Sequence, residues 1–183
     1  CSICRGRGDQ EEAERVMGNA FTLLLLFGAV ITGAFLLLKR PLLYLFGASD
    51  ATYPYAEAYM TIYLLGTVLV MIGLGMNPFI TSQGFGKIGM MTVGLGAIIN
   101  IILDPILIFA AGMGVQGAAL ATVIAQGCSA AWVLGFLTSQ RAVLRLRLKN
   151  MALRAVRVKA IVTLGLSGFF MNLTNSLVQV VCN

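Results

Sequence analysis

Long uncharged stretches, and not an alternation of apolar and polar positions, dominate this chain. Three stretches contain no charged side chain: 16–38, 58–86 and 160–183. A fourth, 88–140, contains one charge, Asp104, and a glycine-rich turn (GMGVQG) divides it in two. A helix needs about 20 mostly apolar residues to cross a membrane, and each of the five segments is near that length or longer. Helices of a soluble core would instead show a polar face at the helical period.

The pattern therefore predicts an all-α transmembrane protein with five membrane-spanning helices. The expected helices are Ala13–Leu38, Tyr55–Thr81, Ile88–Ala111, Val115–Thr138 and Val158–Val181. Charged residues make up 11% of the chain, against about 25% in a typical soluble domain. The first residue is not Met, and the chain stops inside an apolar segment. We therefore expect it to be part of a longer membrane protein.

Basic residues fall almost entirely on one side of the predicted membrane. Eleven of the 13 Lys and Arg residues lie in the segments 1–15, 82–87 and 139–159. The loops between them carry only Lys39 and Arg40. Membrane proteins retain Lys- and Arg-rich loops in the cytoplasm. The sequence therefore predicts a multi-pass protein whose segments 1–15, 82–87 and 139–159 are cytoplasmic.

Seven of the basic residues lie in the last of these segments. Nucleic-acid binding or a regulatory role is one interpretation, but basic residues beside membrane helices more often contact anionic headgroups. The letters LRLRLK alternate as in a strand, and MALRAVRVKAIV has the pattern of an amphipathic helix lying on the membrane. We interpret residues 139–157 as a linker between two helical bundles, with the lipid bilayer and no nucleic acid as its partner.

The sequence predicts neither an enzyme nor a cofactor. It contains no His, which removes the usual imidazole acid or base and the usual metal ligand. Cys1 and Cys4 have CxxC spacing, but no second pair and no His accompany them. We therefore expect no metal or redox chemistry at these cysteines.

The carboxylate of Asp104 stands inside an otherwise apolar helix, directly before Pro105. A charge there costs roughly 2.5–3.5 kcal/mol on insertion scales, so it needs a partner, a proton or an ion. Asn100 lies one turn earlier on the same face. Pro105 is expected to kink the helix, and because it lacks an N–H it leaves the carbonyl of Ile101 without its helical donor. These hard oxygen ligands suit Na⁺ or a proton rather than a soft metal, and we expect no metal here other than Na⁺.

Residues of the next helix are expected to face this site. Asp104 and Thr122 lie nine residues before and after Met113 at the turn, and Asn100 and Gln126 lie thirteen. Since helices rise 1.5 Å per residue, equal counts give similar depths in an antiparallel pair. We expect Asp104 opposite Thr122, and Asn100 opposite Gln126. The structural alternative is that Asp104 only hydrogen-bonds to Asn100 or Thr122 and holds the helices together.

These residues carry a family resemblance. The segment NPFITSQGFGKIGMMTVGLGAIINIILDPILIFAAGMGVQGAALATVIAQ closely resembles the multidrug and toxic compound extrusion (MATE) transporters, within them the bacterial branch of the DNA-damage-inducible F-type proteins. The resemblance implies twelve helices in two six-helix lobes, of which this chain holds a part similar to helices 3–7. Residues 1–138 would belong to the N-terminal lobe, 139–157 to the cytoplasmic linker and 158–183 to the first helix of the second lobe.

The resemblance also implies a function: a secondary antiporter in the inner membrane of a bacterium that exports organic, often cationic, compounds in exchange for Na⁺ or H⁺. The family's N-lobe cation site corresponds to Asn100, Asp104 and Thr122. The helix geometry above adds Ile101 and Gln126 as possible supporting residues. Many relatives have a Glu on the seventh helix where this chain has Asn175, which we interpret as a lining or packing residue. The alternatives are a flippase for lipid-linked oligosaccharides, against which the lack of internal basic residues argues, and a membrane protein without transport.

Overall fold

The structure is a computed structural model that describes residues 6, 8–151 and 154–182. Within these ranges the chain forms five long helices: α1 (Gln10–Leu45), α2 (Tyr53–Ser82), α3 (Gly86–Pro105), α4 (Val115–Thr138) and α5 (Ala155–Cys182). A π-helical turn, Ile106–Ala110, extends α3, and one 3₁₀ turn, Leu148–Met151, precedes α5. Cys1 and Cys4, for which we expect no metal or redox role, lie outside the described residues.

All five helices are long and apolar enough to cross a membrane, which confirms the predicted architecture. The bounds of α4 are those expected, but α1 continues seven residues past Leu38, through Pro41. The charges of Lys39 and Arg40 led to the expectation that the helix ends at Leu38, but the helix continues through them. Lys39 instead forms an ion pair with Glu57 of α2 (2.7 Å), so its charge is matched while the helix continues.

Glycine makes the turns that bring α2, α3 and α4 side by side. Gly84, between α2 and α3, has φ +91°, and Gly112 and Gly114, between α3 and α4, have φ +67° and +54°. Glycine adopts this left-handed region readily because it has no Cβ. The turns are short, so each pair of helices runs antiparallel along its length.

The best-buried packing lies where α1, α2 and α4 meet. Met17, Met76, Ile80, Val133 and Leu137 are all fully buried there. Inside lipid the hydrophobic effect contributes little to helix association. Helices associate through close van der Waals packing instead, so their interfaces favour small residues. The tight fit of α2 against α4 has this origin, since a side chain on Gly66 of α2 would overlap Val123 of α4.

The segment between α4 and α5 is bound to the bundle through hydrogen bonds. The amides of Leu144 and Arg145 donate to Gln83 Oε1 (2.8 Å) and Glu14 Oε1 (3.0 Å), and Leu144 is fully buried. The alternation in LRLRLK therefore places an apolar side chain inward without strand pairing in the described part of this segment. The expected separate surface helix is wrong, because from Ala155 onward these residues are the first turns of α5 itself.

Two ends of the bundle are distinguished below. The basic end contains the start of α1, the α2–α3 turn and residues 139–151 and 154–157. The opposite end contains residues 46–52 and 111–114.

Substituting Gly117 by Ala should destabilise the bundle. A Cβ at this position of α4 would lie 2.6 Å from the carbonyl oxygen of Leu107 in the π turn, and backbone cannot rotate away as a side chain can. Overpacking of this kind costs about 1–3 kcal/mol. We expect a lower midpoint of thermal unfolding in detergent micelles.

Gly135→Ala is the matched control, because it is on the same helix and its Cβ would have nothing within 4 Å. There the loss of backbone freedom in the unfolded chain should leave stability equal or slightly higher. A similar drop in both variants would mean that helix contact at Gly117 is not the cause.

Candidate functional site: a polar cavity beside Asp104

A cavity of about 240 Å³ lies between α2, α3 and α4. Polar side chains from all three helices line it: Asn77, Thr92, Asn100, Thr122, Gln126 and Ser129. Leu74, Val93 and several glycines and alanines complete the wall. The cavity therefore places six polar side chains within a mostly apolar wall between three membrane helices.

Asn100 and Thr122 meet across this cavity. Asn100 Nδ2 donates to Thr122 Oγ1 at 3.3 Å, and Thr122 Oγ1 donates to the carbonyl of Ala118 at 3.0 Å. Gln126 lines the same cavity. The structure thus brings three of the expected site residues together, but in a pairing one helical turn from the expected one, which placed Asp104 opposite Thr122.

The π turn contributes to this shift in register. The amide of Ala111 donates to the carbonyl of Ile106, five residues back (2.9 Å), and that of Met113 to Leu107, six back (3.2 Å). A turn that holds more residues advances less along the axis per residue. Counting nine residues back from Met113 therefore covers less depth on α3 than counting nine forward on α4. Asn100, one turn deeper than Asp104, reaches the level of Thr122.

The carboxylate of Asp104 is half-buried, and its Oδ1 is shielded from solvent. Among the residues that the structure describes, no donor reaches that oxygen. Leaving a buried polar atom unpaired costs about 1–3 kcal/mol, and more for a charged group. Such an atom one turn from the Asn100–Thr122 pair is suited to bind a proton or a small cation.

Pro105 marks the point where regular α-helix stops. It is the last residue of α3, and the amide of Ile106 donates only three residues back, to Leu103. Because Pro105 has no N–H, the carbonyl of Ile101 lacks its ordinary helical donor. The side chain of Ile101 lies on the outer surface, so only its backbone oxygen is a candidate ligand.

Sequence reasoning missed the part of the cavity nearer the basic end. Ser129 Oγ donates to the carbonyl of Thr92 (3.1 Å). Asn77 Nδ2 donates to the carbonyl of Gly89 (3.2 Å), while its Oδ1 is buried and has no partner among the described residues. The available signal was an Asn within an uncharged apolar run, which is costly in lipid unless it faces a polar interior.

Asn175 is not brought to this site. It lies on α5, where it is exposed, and every residue that lines the cavity comes from α2, α3 or α4. Its expected role as a lining residue therefore does not apply to this cavity.

Five membrane-spanning helices around an internal polar site define a multi-pass membrane protein. The MatE family model matches residues 1–106, more than half of the chain. The chain therefore belongs to the MatE family, as the resemblance in its sequence implied.

Two relatives illustrate the similarity. A protein of Shewanella oneidensis named FAD transporter is 32% identical over 122 residues, which are 64% of this chain and 27% of that protein. The multidrug export protein MepA of Staphylococcus haemolyticus is 30% identical over 124 residues, 68% of this chain and 27% of MepA. The chain thus spans about a quarter of the length of these relatives.

Solved MATE structures share the fold. The chain matches an outward-facing multidrug resistance MATE transporter with a TM-score of 0.89 and 26% identity, over 96% of this chain and 39% of that one. It matches an inward-facing one with a TM-score of 0.84 and 26% identity, over 90% of this chain and 38% of that one. The five helices of this chain therefore share the fold of about two fifths of a MATE transporter.

Asp104→Asn should raise the stability of the chain in detergent at neutral pH without Na⁺. The amide is neutral, so burying it unpaired costs less than burying a carboxylate, and we expect a gain of about 1 kcal/mol or more. The measurement is the thermal unfolding midpoint. Asp50→Asn is the control. Asp50 is exposed and accepts a hydrogen bond from Tyr44 Oη at 2.9 Å, and the amide oxygen of the variant can accept the same bond.

The opposite result is equally informative. A fall in the midpoint for Asp104→Asn, with none for Asp50→Asn, would show that the carboxylate holds helices together, which is the structural alternative.

Proposed function

We propose that this chain forms part of a secondary antiporter that moves organic solutes out of a bacterial cell in exchange for Na⁺ or H⁺. The observation that carries the proposal is the unpaired oxygen of Asp104, held in a membrane-spanning segment beside a polar cavity. Ionisable residues inside a membrane are rare because they are costly, and they commonly mark ion or proton pathways. Membership of the MatE family supports the same function.

Asp104 is the coupling group in this proposal. A bound proton or Na⁺ neutralises the carboxylate and removes the cost of burying it unpaired. Asn100 and Thr122 supply an amide and a hydroxyl oxygen, and the backbone oxygen of Ile101 is freed by Pro105. A bound cation shifts a conformational equilibrium only through its different affinity for the two states. The site must therefore be better formed in one state than in the other.

The driving force of one ion is sufficient for export. One charge that crosses 100 mV supplies about 2.3 kcal/mol. Since about 1.4 kcal/mol corresponds to a tenfold ratio, this sustains a concentration ratio of roughly 50 for the exported solute.

The cavity favours hydrogen bonding to the solute over charge recognition. Its described lining combines apolar residues with amides and hydroxyls and includes no acidic or basic side chain. A site built in this way does not itself select cations, which agrees with relatives named for such different cargo as FAD and multiple drugs. A pyrophosphate-bearing lipid would need basic side chains, so the lining offers no support for a flippase.

The basic end is assigned to the cytoplasm. The bound linker exposes Arg147, Lys149 and Arg154 there, while Lys39 at the opposite end is held by Glu57. Basic side chains close to the membrane favour the cytoplasmic side, where they meet anionic lipid headgroups. In this assignment the bacterial plasma membrane holds the protein, and residues 46–52 and 111–114 face outward.

Cysteine labelling in intact cells tests the orientation. After replacement of the native cysteines by Ser, we expect a membrane-impermeant maleimide to label Ala51→Cys but not Gln140→Cys until the membrane is permeabilised. Both positions are exposed in loops, so access to the reagent decides the result. Labelling of Gln140→Cys alone in intact cells would invert the topology.

Transport in proteoliposomes tests the coupling. In a full-length transporter that contains this chain, a fluorescent organic solute should move when a Na⁺ gradient or a proton gradient is imposed. Asp104→Asn should abolish this gradient-driven transport, and the gradient that is effective in the parent identifies the ion. Asp50→Asn should transport as the parent does, because its carboxylate is an exposed loop group.

The proposal fails if Asp104→Asn protein, still folded by circular dichroism, transports at the parent rate. Coupling would then have to lie on other helices of the transporter.

A further inference from the structure

The last helix is attached to the bundle at one end only. Among the described residues, α5 packs against α1 close to the basic end. Farther along, its large side chains stand away from the other helices, and Phe169, Met171 and Leu177 are each more than half exposed. The contacts near residues 154–157 therefore decide where α5 lies relative to α1.

One ion pair dominates this junction. Arg157 Nε donates to Glu12 Oε1 at 2.6 Å, and its terminal nitrogen Nη2 donates to Glu12 Oε2 at 2.7 Å. The Arg157 side chain is only 13% exposed and that of Glu12 33%. A two-point contact of this kind fixes direction as well as distance. It therefore holds α5 in a defined orientation on α1.

The chain just before α5 is fixed to the same helix. Thr22 Oγ1 donates to the carbonyl of Met151 (2.8 Å), and Asn19 Nδ2 donates to that of Asn150 (3.3 Å). The segment approaches α1 so closely that a Cβ on Gly18 would overlap the Asn150 carbonyl. Asn19 Oδ1 also accepts from the amide of Arg154 (3.0 Å). Because the chain is bound to α1 at Met151 and at Arg154, movement of α5 has to occur beyond Arg154.

We propose that the Glu12–Arg157 pair is a latch that keeps the basic end of the transporter closed while the opposite end is open. The proposal rests on the antiport function proposed above and on the lobe assignment that the family resemblance implies, in which α1 and α5 belong to different lobes that rock against each other. Opening of the basic end then requires that α5 leave α1 and that this pair separate.

Glu12 has a second partner ready when the latch opens. Arg15 lies one turn along α1, with Nη1 3.9 Å from Glu12 Oε2, and it also pairs with Glu11. Glu12 can therefore exchange Arg157 for Arg15 without becoming an isolated charge. An exchange of partners lowers the cost of opening, which a reversible latch requires.

Distance measurements on the 183-residue chain in lipid nanodiscs test the latch. Spin labels at Ala51→Cys and Gln179→Cys, with the native cysteines replaced by Ser, report the separation between the opposite end of the bundle and the far end of α5. We expect one narrow distance distribution for the parent. Glu12→Gln and Arg157→Gln should each move the balance toward other distances by roughly tenfold, the ratio that corresponds to about 1.4 kcal/mol.

Two further variants separate the latch from general damage. Glu11→Gln alters the neighbouring carboxylate, which is 72% exposed and pairs within its own helix, and it should leave the distribution unchanged. The reversed pair, Glu12→Arg with Arg157→Glu, made in an Arg15→Gln background because Arg15 would otherwise repel the new arginine, should restore the narrow distribution. The latch is refuted if the two single variants match the parent, if Glu11→Gln has the same effect as they do, or if the reversed pair behaves as they do.

This readout needs no transport. If the distance measurement refutes the latch, the liposome assay still tests coupling at Asp104. If the transport assay refutes coupling, the distance measurement still tests the position of α5.

Discussion

The need to pair every backbone N–H and C=O inside lipid governs this structure. Lipid offers no hydrogen bonds, so a spanning chain of this composition must be helical throughout, and irregular backbone is tolerated only where it is buried in protein or lines a cavity. Pro41 and Pro78 lie inside α1 and α2, which continue as α-helices past them, whereas regular α-helix ends at Pro105 and a π turn follows. This irregularity lies beside the one charge of the 88–140 stretch, which ties it to the candidate cation site.

Small residues make the polar cavity compatible with close packing. Gly96 on α3 leaves room for Ser129 Oγ, which would lie 2.6 Å from a Cβ there, and this hydroxyl reaches the carbonyl of Thr92. Gly73 on α2 has Gln126 Oε1 within 3.6 Å of the place where its Cβ would be. Helices that approach so closely gain van der Waals contact and bring amides and hydroxyls from three helices into one space. Polar side chains fit between the helices because small residues such as Gly96 and Gly73 leave room for them.

The sequence was sufficient to predict five membrane-spanning helices. It was not sufficient to predict how each helix is rotated about its axis or which residues pair between neighbouring helices. Uncharged stretches revealed five spans because lipid imposes a length and a polarity on each helix separately. The site residues Asn100, Asp104 and Thr122 could be identified from one hairpin, but their pairing depended on the π turn, which residue counting treats as regular helix. Asn77 was missed because its position depends on how α2 rotates toward α3 and α4. The pattern of residues along a single helix does not predict how that helix rotates toward its neighbours.

The two charged features of the proposed transporter lie in different helix pairs. The cation site is between α3 and α4, and the Glu12–Arg157 contact joins α1 and α5. In the described structure α2 is the element that packs against α1, α3 and α4. Packed contact through α2 therefore connects the two charged features within the described residues. The contact is tight at the α2–α4 interface, where a Cβ on Gly66 would overlap Val123.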